Sequence, residues 1–190
     1  TGIGRLADQG VEAGKVDVAH TMWGLQTSYV QTFSKYVPVE EIDKFKKSLL
    51  EVYYSEVEIK DVEVENLEGV NFPGKPLVVK GTFNDEVYTE PGSTSTIVKV
   101  GLIIGPQSEM YLTDSVRTLP VHHGFPKRYL RKINVHVPDG YILKNAESLV
   151  MNVTSGGENA LMGFTSTYKY EKNLLEITVD EWYEVGDYPA

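Results

Sequence analysis

Gly163-Phe164-Thr165-Ser166-Thr167-Tyr168-Lys169-Tyr170-Glu171-Lys172-Asn173-Leu174-Leu175-Glu176-Ile177-Thr178-Val179 decides the fold. Phe164, Tyr168 and Tyr170 recur at even spacing before a polar break, and Leu175, Ile177 and Val179 do so after it. Successive side chains on an extended chain point to opposite faces, so each half gives one apolar and one polar face. Glu171-Lys172-Asn173 has the polar chemistry of a turn. The stretch therefore predicts two strands joined as a hairpin.

Moving toward the N-terminus, the same texture repeats. Leu149, Met151 and Val153 form an alternating set, followed by the loop Ser155-Gly156-Gly157-Glu158-Asn159. Tyr141 and Leu143 follow the turn Pro138-Asp139-Gly140, and Ile133, Val135 and Val137 precede it. Residues 107–126 are irregular, a joint between two halves or a long connection. Before them, Ile97 to Ile104 is a nearly continuous apolar run that continues the strand-like pattern until Gly105-Pro106. Leu77, Val79, Gly81 and Phe83 form another strand, bounded by turns at Asn71-Phe72-Pro73-Gly74 and Glu90-Pro91-Gly92-Ser93. Val57 and Ile59 alternate in one phase and Val62 and Val64 in the other, which predicts a β-bulge near Lys60-Asp61.

One region departs from period two. Met22, Leu25, Tyr29, Phe33 and Tyr36 recur at three and four, the apolar stripe of an amphipathic helix. Pro38 suits the first turn of a second helix, and Glu40 and Glu41 follow where the helix dipole favours negative charge. Ile42, Phe45 and Leu49 then face one way, with Lys44, Lys46 and Lys47 toward water. The expectation is a helix pair at about residues 22–36 and 38–51. In the first twenty residues, Asp8-Gln9-Gly10, Gly14 and the alternating Val16 and Val18 give a short hairpin signal. The predicted fold is mainly β (α+β): one or two β-sandwich-like units with an inserted helix pair. Residues 1–115 form a first part and 116–190 a C-terminal module, which can pack as a single domain.

Composition narrows the function. The 190 residues have a net charge of −9, and Lys127-Arg128 with Arg131-Lys132 is the one basic cluster. Duplex binding needs clustered cations to neutralise phosphates, so nucleic acid is not an expected partner. No apolar run approaches the roughly 20 residues of a membrane helix, so membrane insertion is not expected either. There is no cysteine, which removes thiol nucleophiles, disulfides and Cys-based zinc sites. The chain opens on Thr1-Gly2 and stops at Asp187-Tyr188-Pro189-Ala190, which reads as a piece of a longer polypeptide.

Reactive constellations are sparse. No Gly-x-Ser-x-Gly occurs, and Gly2-Ile3-Gly4 lacks the third glycine of a dinucleotide fingerprint. Neither catalytic residues nor a cofactor is implied. His122 and His123 are adjacent and point apart on an extended chain; His136 lies between two valines. Paired after folding, His122 or His123 with His136 is a metal candidate, but no carboxylate stands at ligand spacing, so unrelated histidines is the better reading. Asp180-Glu181-Trp182, with Tyr183 beside it, is an acid pair next to aromatics, the composition of a glycosidase cleft and equally of a strand end in an acidic protein. Tyr53-Tyr54, Tyr168, Tyr170, Trp182, Tyr183 and Tyr188 offer contact area for a sugar or peptide, against the alternative that most are core or cross-strand pairs.

The second half resembles a known family. Arg117-Thr118-Leu119-Pro120-Val121 is similar to the Arg-x-x-Pro-Val that opens a C-terminal domain of unknown function. That domain follows the transglutaminase-like domain in large exported proteins of Gram-negative bacteria. Ile133-Asn134-Val135-His136-Val137-Pro138-Asp139-Gly140-Tyr141 resembles its strand and turn; Phe164 to Tyr168 with Asn173-Leu174-Leu175-Glu176-Ile177 resembles its last hairpin; Tyr188-Pro189-Ala190 resembles its Tyr-Pro-Ala. The likeness covers about 75 residues and departs at Glu147-Ser148-Leu149, where the family often has Pro. It implies a non-catalytic accessory or binding module of an exported, periplasmic or cell-envelope protein. The implied catalytic Cys-His-Asp set lies upstream, and the expected partners are other domains of the same polypeptide and a peptide or glycan. Two further readings stand beside it: a carbohydrate-binding or glycan-processing domain using Asp180 and Glu181, and a metal-binding domain.

Overall fold

The computed structural model describes residues 2–5, 15–68, 75–84, 86–91, 95–104, 121–155 and 160–188. In chain order the elements are β1 (Gly2–Arg5), β2 (Lys15–Trp23), α1 (Leu25–Ser34), α2 (Ile42–Glu51), β3 (Lys60–Glu65), β4 (Leu77–Asn84), β5 (Thr89–Pro91), β6 (Ser95–Val98), α3 (Val100–Ile104), β7 (Val121–His123), β8 (Lys127–His136), β9 (Tyr141–Lys144), β10 (Met151–Ser155), β11 (Met162–Glu171), β12 (Leu174–Tyr183) and β13 (Gly186–Tyr188).

The predicted hairpin is β11 and β12, paired without a break from Met162↔Tyr183 to Glu171↔Leu174. Lys172 and Asn173 both take positive φ, 49° and 63°. Two such residues make the turn whose twist matches that of the strands it joins. β12 pairs on its other side with β8 over all ten residues, from Leu174↔His136 to Tyr183↔Lys127. Pairing continues antiparallel into one seven-stranded sheet, in the order β10-β11-β12-β8-β2-β4-β3. Residues 1–115 and 116–190 meet at its centre, where β2 pairs with β8, so they share one sheet and one core. The anticipated bulge is present: β3 shifts register against β4 between Lys60 and Glu63, and Asp61 has φ 51°.

One face of this sheet carries the core. Val16 and Val18, Leu77, Val79 and Phe83, Ile133 and Val135, and Leu175, Ile177 and Val179 are all buried there. Each such side chain contributes roughly 1.5–3 kcal/mol relative to exposure. The opposite face is largely polar, with Lys80, Thr82, Lys132, Asn134, Glu176 and Thr178. A layer of helices and a four-stranded sheet, β5-β6-β1-β9, closes the inner face, and Tyr54, Leu50, Val98 and Ile103 belong to the same core. The architecture is mainly β and sandwich-like, with an inserted helix pair.

Several expectations need correction. The helix pair is α1 and α2, the latter preceded by a 3₁₀ turn at Val39–Glu41, but Met22 and Trp23 belong to β2. Period two in β2 runs on through Val16, Val18, His20 and Met22 before Gly24 breaks it at φ 106°. The stripe expected to face the core is exposed: Tyr29 65%, Phe33 60% and Tyr36 80%. α1 instead turns Thr27, Gln31 and Ser34 inward. Gln31 donates to the Asn66 carbonyl at 2.7 Å and Ser34 to the Leu67 carbonyl at 3.3 Å. These bonds to the segment after β3, rather than apolar burial, set the rotation of the helix. β1 pairs with β6 and β9, not with β2, so these two strands do not form the expected hairpin; Asp8-Gln9-Gly10 and Gly14 lie outside the described residues. The run from Ile97 becomes α3 after Val98, burying Val100 and Ile103 at helical spacing. Leu149 ends a 3₁₀ turn before β10. The turns at residues 71–74 and 92–93 and the loop at 156–159 lie outside the described residues.

Candidate functional site

The most informative chemistry sits where β2 and β12 end and β8 begins. Strand alternation splits each charged cluster of the sequence between two faces. Lys127, Tyr129 and Arg131 face inward and Arg128, Leu130 and Lys132 outward; on β12, Glu181 and Tyr183 face inward and Asp180 and Trp182 outward. Asp180-Glu181 is therefore not a carboxylate pair in one cleft. Each carboxylate has its own arginine, diagonally across β8 and β12.

On the outer face, Arg128 grips Asp180 through two hydrogen bonds, Nε at 2.9 Å and Nη2 at 2.6 Å. This bidentate contact holds the guanidinium charged, pushing its pKa further up. On the inner face, Arg131 Nη1 meets Glu181 at 2.7 Å with both residues almost wholly buried, 3% and 2% exposed. Tyr183 donates its hydroxyl to the other Glu181 oxygen. Burial, and then that bond, raises the phenol pKa above its ordinary value. Beside the pair, His20 is directly opposite Arg131, and its Nε2 is hydrogen-bonded to the Tyr54 hydroxyl at 2.7 Å. Burial, aided by the arginine charge, lowers the imidazole to about 3.

The outer pair lies in a cleft of about 660 Å³ walled by Trp23, Phe125, Pro126, Trp182 and Tyr183. Gly24 lets its walls meet: a Cβ there would lie 2.9 Å from the Pro126 carbonyl oxygen, at a φ that side chains rarely adopt. Trp182 lies across its cross-strand partner Gly163, where an added Cβ would come within 2.5 Å of the indole nitrogen. The ring therefore lies over the glycine, parallel to the sheet, and its other face points outward. Gly163→Ala is expected to lift that ring, shifting tryptophan fluorescence to the red at a cost of about 1 kcal/mol in urea unfolding. An unchanged emission spectrum would show that the indole does not rest on the glycine.

No family model, curated protein or solved structure matches the chain.

The structure sorts the remaining candidates. Trp182, Tyr183 and Asp180 line the cleft, and Glu181 lies behind it in the core. His122 and His123 are on β7, which pairs with β13 beside the cleft; His122 bonds Asp187 at 2.8 Å and the His123 ring stacks on Tyr183 at 5.3 Å. His136 lies at the far end of β8, about 30 Å from Lys127 at ~3.4 Å per residue, bonded to Asp17 at 2.7 Å. His122 or His123 and His136 therefore do not share a metal, and no three His, Asp or Glu among the described residues are grouped to hold one. Tyr54 is core, and Tyr53, Tyr168 and Tyr170 pack against the core rather than line the cleft. No helix among the described residues is long and apolar enough to cross a membrane. Trp23, Phe125 and Arg128 were not singled out from the sequence. Only Trp23 carried a signal, since the alternation from Val16 to Met22 places it on the outer face.

Proposed function

We propose that the chain is a non-catalytic binding module and that its ligand is a segment of neutral glycan held in the Trp23–Trp182 cleft. The observation that carries this is the outward face of the Trp182 indole beside the doubly bonded Arg128–Asp180 pair. A sugar ring has apolar C–H faces and a rim of hydroxyls. A flat indole matches the first; a fixed guanidinium and carboxylate match the second. The division of Asp180 and Glu181 between two faces argues against hydrolysis by that pair, because a glycosidase needs both carboxylates on one bond. The likeness in residues 117–190 to a domain that accompanies transglutaminase-like domains supports placing the module in a larger exported envelope protein. There it would hold a wall polymer near a catalytic neighbour.

Titration with cello-, chito- and maltotetraose, followed by tryptophan fluorescence and calorimetry, tests the reading. At least one sugar is expected to bind, and Trp182→Ala to weaken it by about ten-fold or more, roughly 1.4 kcal/mol. Binding unaffected by this variant, or no response to any of the three sugars, would count against the proposal.

A further inference from the structure

The seven-stranded sheet ends on two unlike edges. β3 carries Lys60, Asp61, Glu63 and Glu65 and a bulge at Asp61, devices that discourage pairing with another strand. β10, Met151-Asn152-Val153-Thr154-Ser155, has no charge, no proline and an unbroken register with β11. Among the described residues no strand covers its outer edge. Its apolar side chains are uncovered too: Val150 is 59%, Met151 47% and Val153 56% exposed. Met151 and Val153 stand opposite Ser166 and Phe164, so they share the core face of the sheet, beyond the reach of the layer that covers the rest.

A row of free backbone donors and acceptors selects an extended strand as its occupant. We propose that this occupant is β10 of a second copy of the chain, paired antiparallel across a two-fold axis. The sequence is self-complementary in that arrangement. Centred on Asn152, the pairing sets Met151 of each copy against Val153 of the other, on one face. No charge opposes its like, although each chain carries −9 overall. The two sheets then run on as one, and the four apolar side chains cover each other. A five-residue strand buries less than a permanent interface, so the dimer is expected to be concentration-dependent.

The absence of cysteine makes the test specific. Asn152→Cys places two thiols face to face on the axis, at the roughly 4.5–5.5 Å Cα separation of directly paired residues, within disulfide range. Under mild oxidation this variant is expected to cross-link about ten-fold or more faster than Glu176→Cys, on the exposed opposite face. Sedimentation velocity of the unmodified chain over about 5–500 µM is expected to show a rising dimer fraction. Val153→Lys should abolish it with the circular dichroism spectrum unchanged; should that variant not fold, the cross-linking pair still decides. A chain that stays monomeric throughout, or equal cross-linking of the two cysteine variants, overturns the proposal. A chain that is monomeric alone but captured by a foreign peptide at β10 overturns it as well.

Discussion

Arg131→Met is expected to lower the stability of the folded chain by about 3–5 kcal/mol, read as a fall in the urea midpoint with little change in slope. The cause is the carboxylate left behind. Glu181 is buried on the inner face, and its charge is balanced at 2.7 Å by the guanidinium, with the Tyr183 hydroxyl as a second donor. Without Arg131 that charge faces Val179 and Ile133 with a single neutral donor. A loss of this size is a third or more of the 5–15 kcal/mol typical of a domain. Removing both charges is a different matter. Arg131→Met with Glu181→Leu leaves no unpaired ion, and it relieves Arg131 Nε, a buried donor without an acceptor. The double variant is expected to recover most of the loss, because well-packed apolar residues commonly replace a buried ion pair at little cost. A double variant as unstable as Arg131→Met would mean that shape, not charge, governs the site.

Acidification is expected to destabilise the protein from about pH 6.5 downward through His20, by about 1.4 kcal/mol per pH unit and close to 3 kcal/mol by pH 4.5. His20 is enclosed by Tyr53, Tyr54 and Arg131, and its folded value is about 3. Between pH 3 and 6.5 the unfolded chain binds a proton there that the folded chain refuses. Stability is therefore full above the unfolded value and lost as pH falls. His20→Gln, which keeps a side-chain partner for the Tyr54 hydroxyl, is expected to flatten this slope in urea melts taken at half-unit intervals. Asp17 responds elsewhere. Burial, the largest influence, raises its carboxyl, but hydrogen bonds from His136 and Lys15 outweigh it and the net shift is downward. Its contribution is present above the ordinary carboxylate range and lost only below it. An identical slope in His20→Gln would assign the acid sensitivity to other groups.

Much of the sheet was legible because period two reports a strand and its faces directly. The β11–β12 hairpin, β4, β8 and even the bulge at Asp61 follow from phase alone. Periodicity reports that a face is apolar, however, not what meets it. α1 shows the limit: Tyr29, Phe33 and Tyr36 make a helical stripe, yet Gln31 and Ser34 bond the backbone at Asn66 and Leu67 and turn it outward. Those acceptors lie some thirty residues away, and nothing local marks them. The candidate site was legible by composition and not by geometry. Trp182, Tyr183 and Asp180 do meet at one cleft, but Glu181 leaves it for the core, and Arg128 enters it from a strand on the other side of a long connection. Pairing across β8 and β12 made that selection, and such pairing is non-local.

The two diagonal arginine–carboxylate pairs also act during folding, before any ligand is present. Arg128–Asp180 and Arg131–Glu181 bridge the same two strands on opposite faces. A slip of one residue between β8 and β12 would exchange the faces of every side chain on the slipped strand. A slip of two would restore the faces but part both couples, enclosing a lone carboxylate and a lone guanidinium beneath the helices. Each misaligned hairpin thus carries its own penalty, and only one alignment escapes both. The pair that stabilises the finished core least efficiently is the one that makes wrong cores hardest to complete.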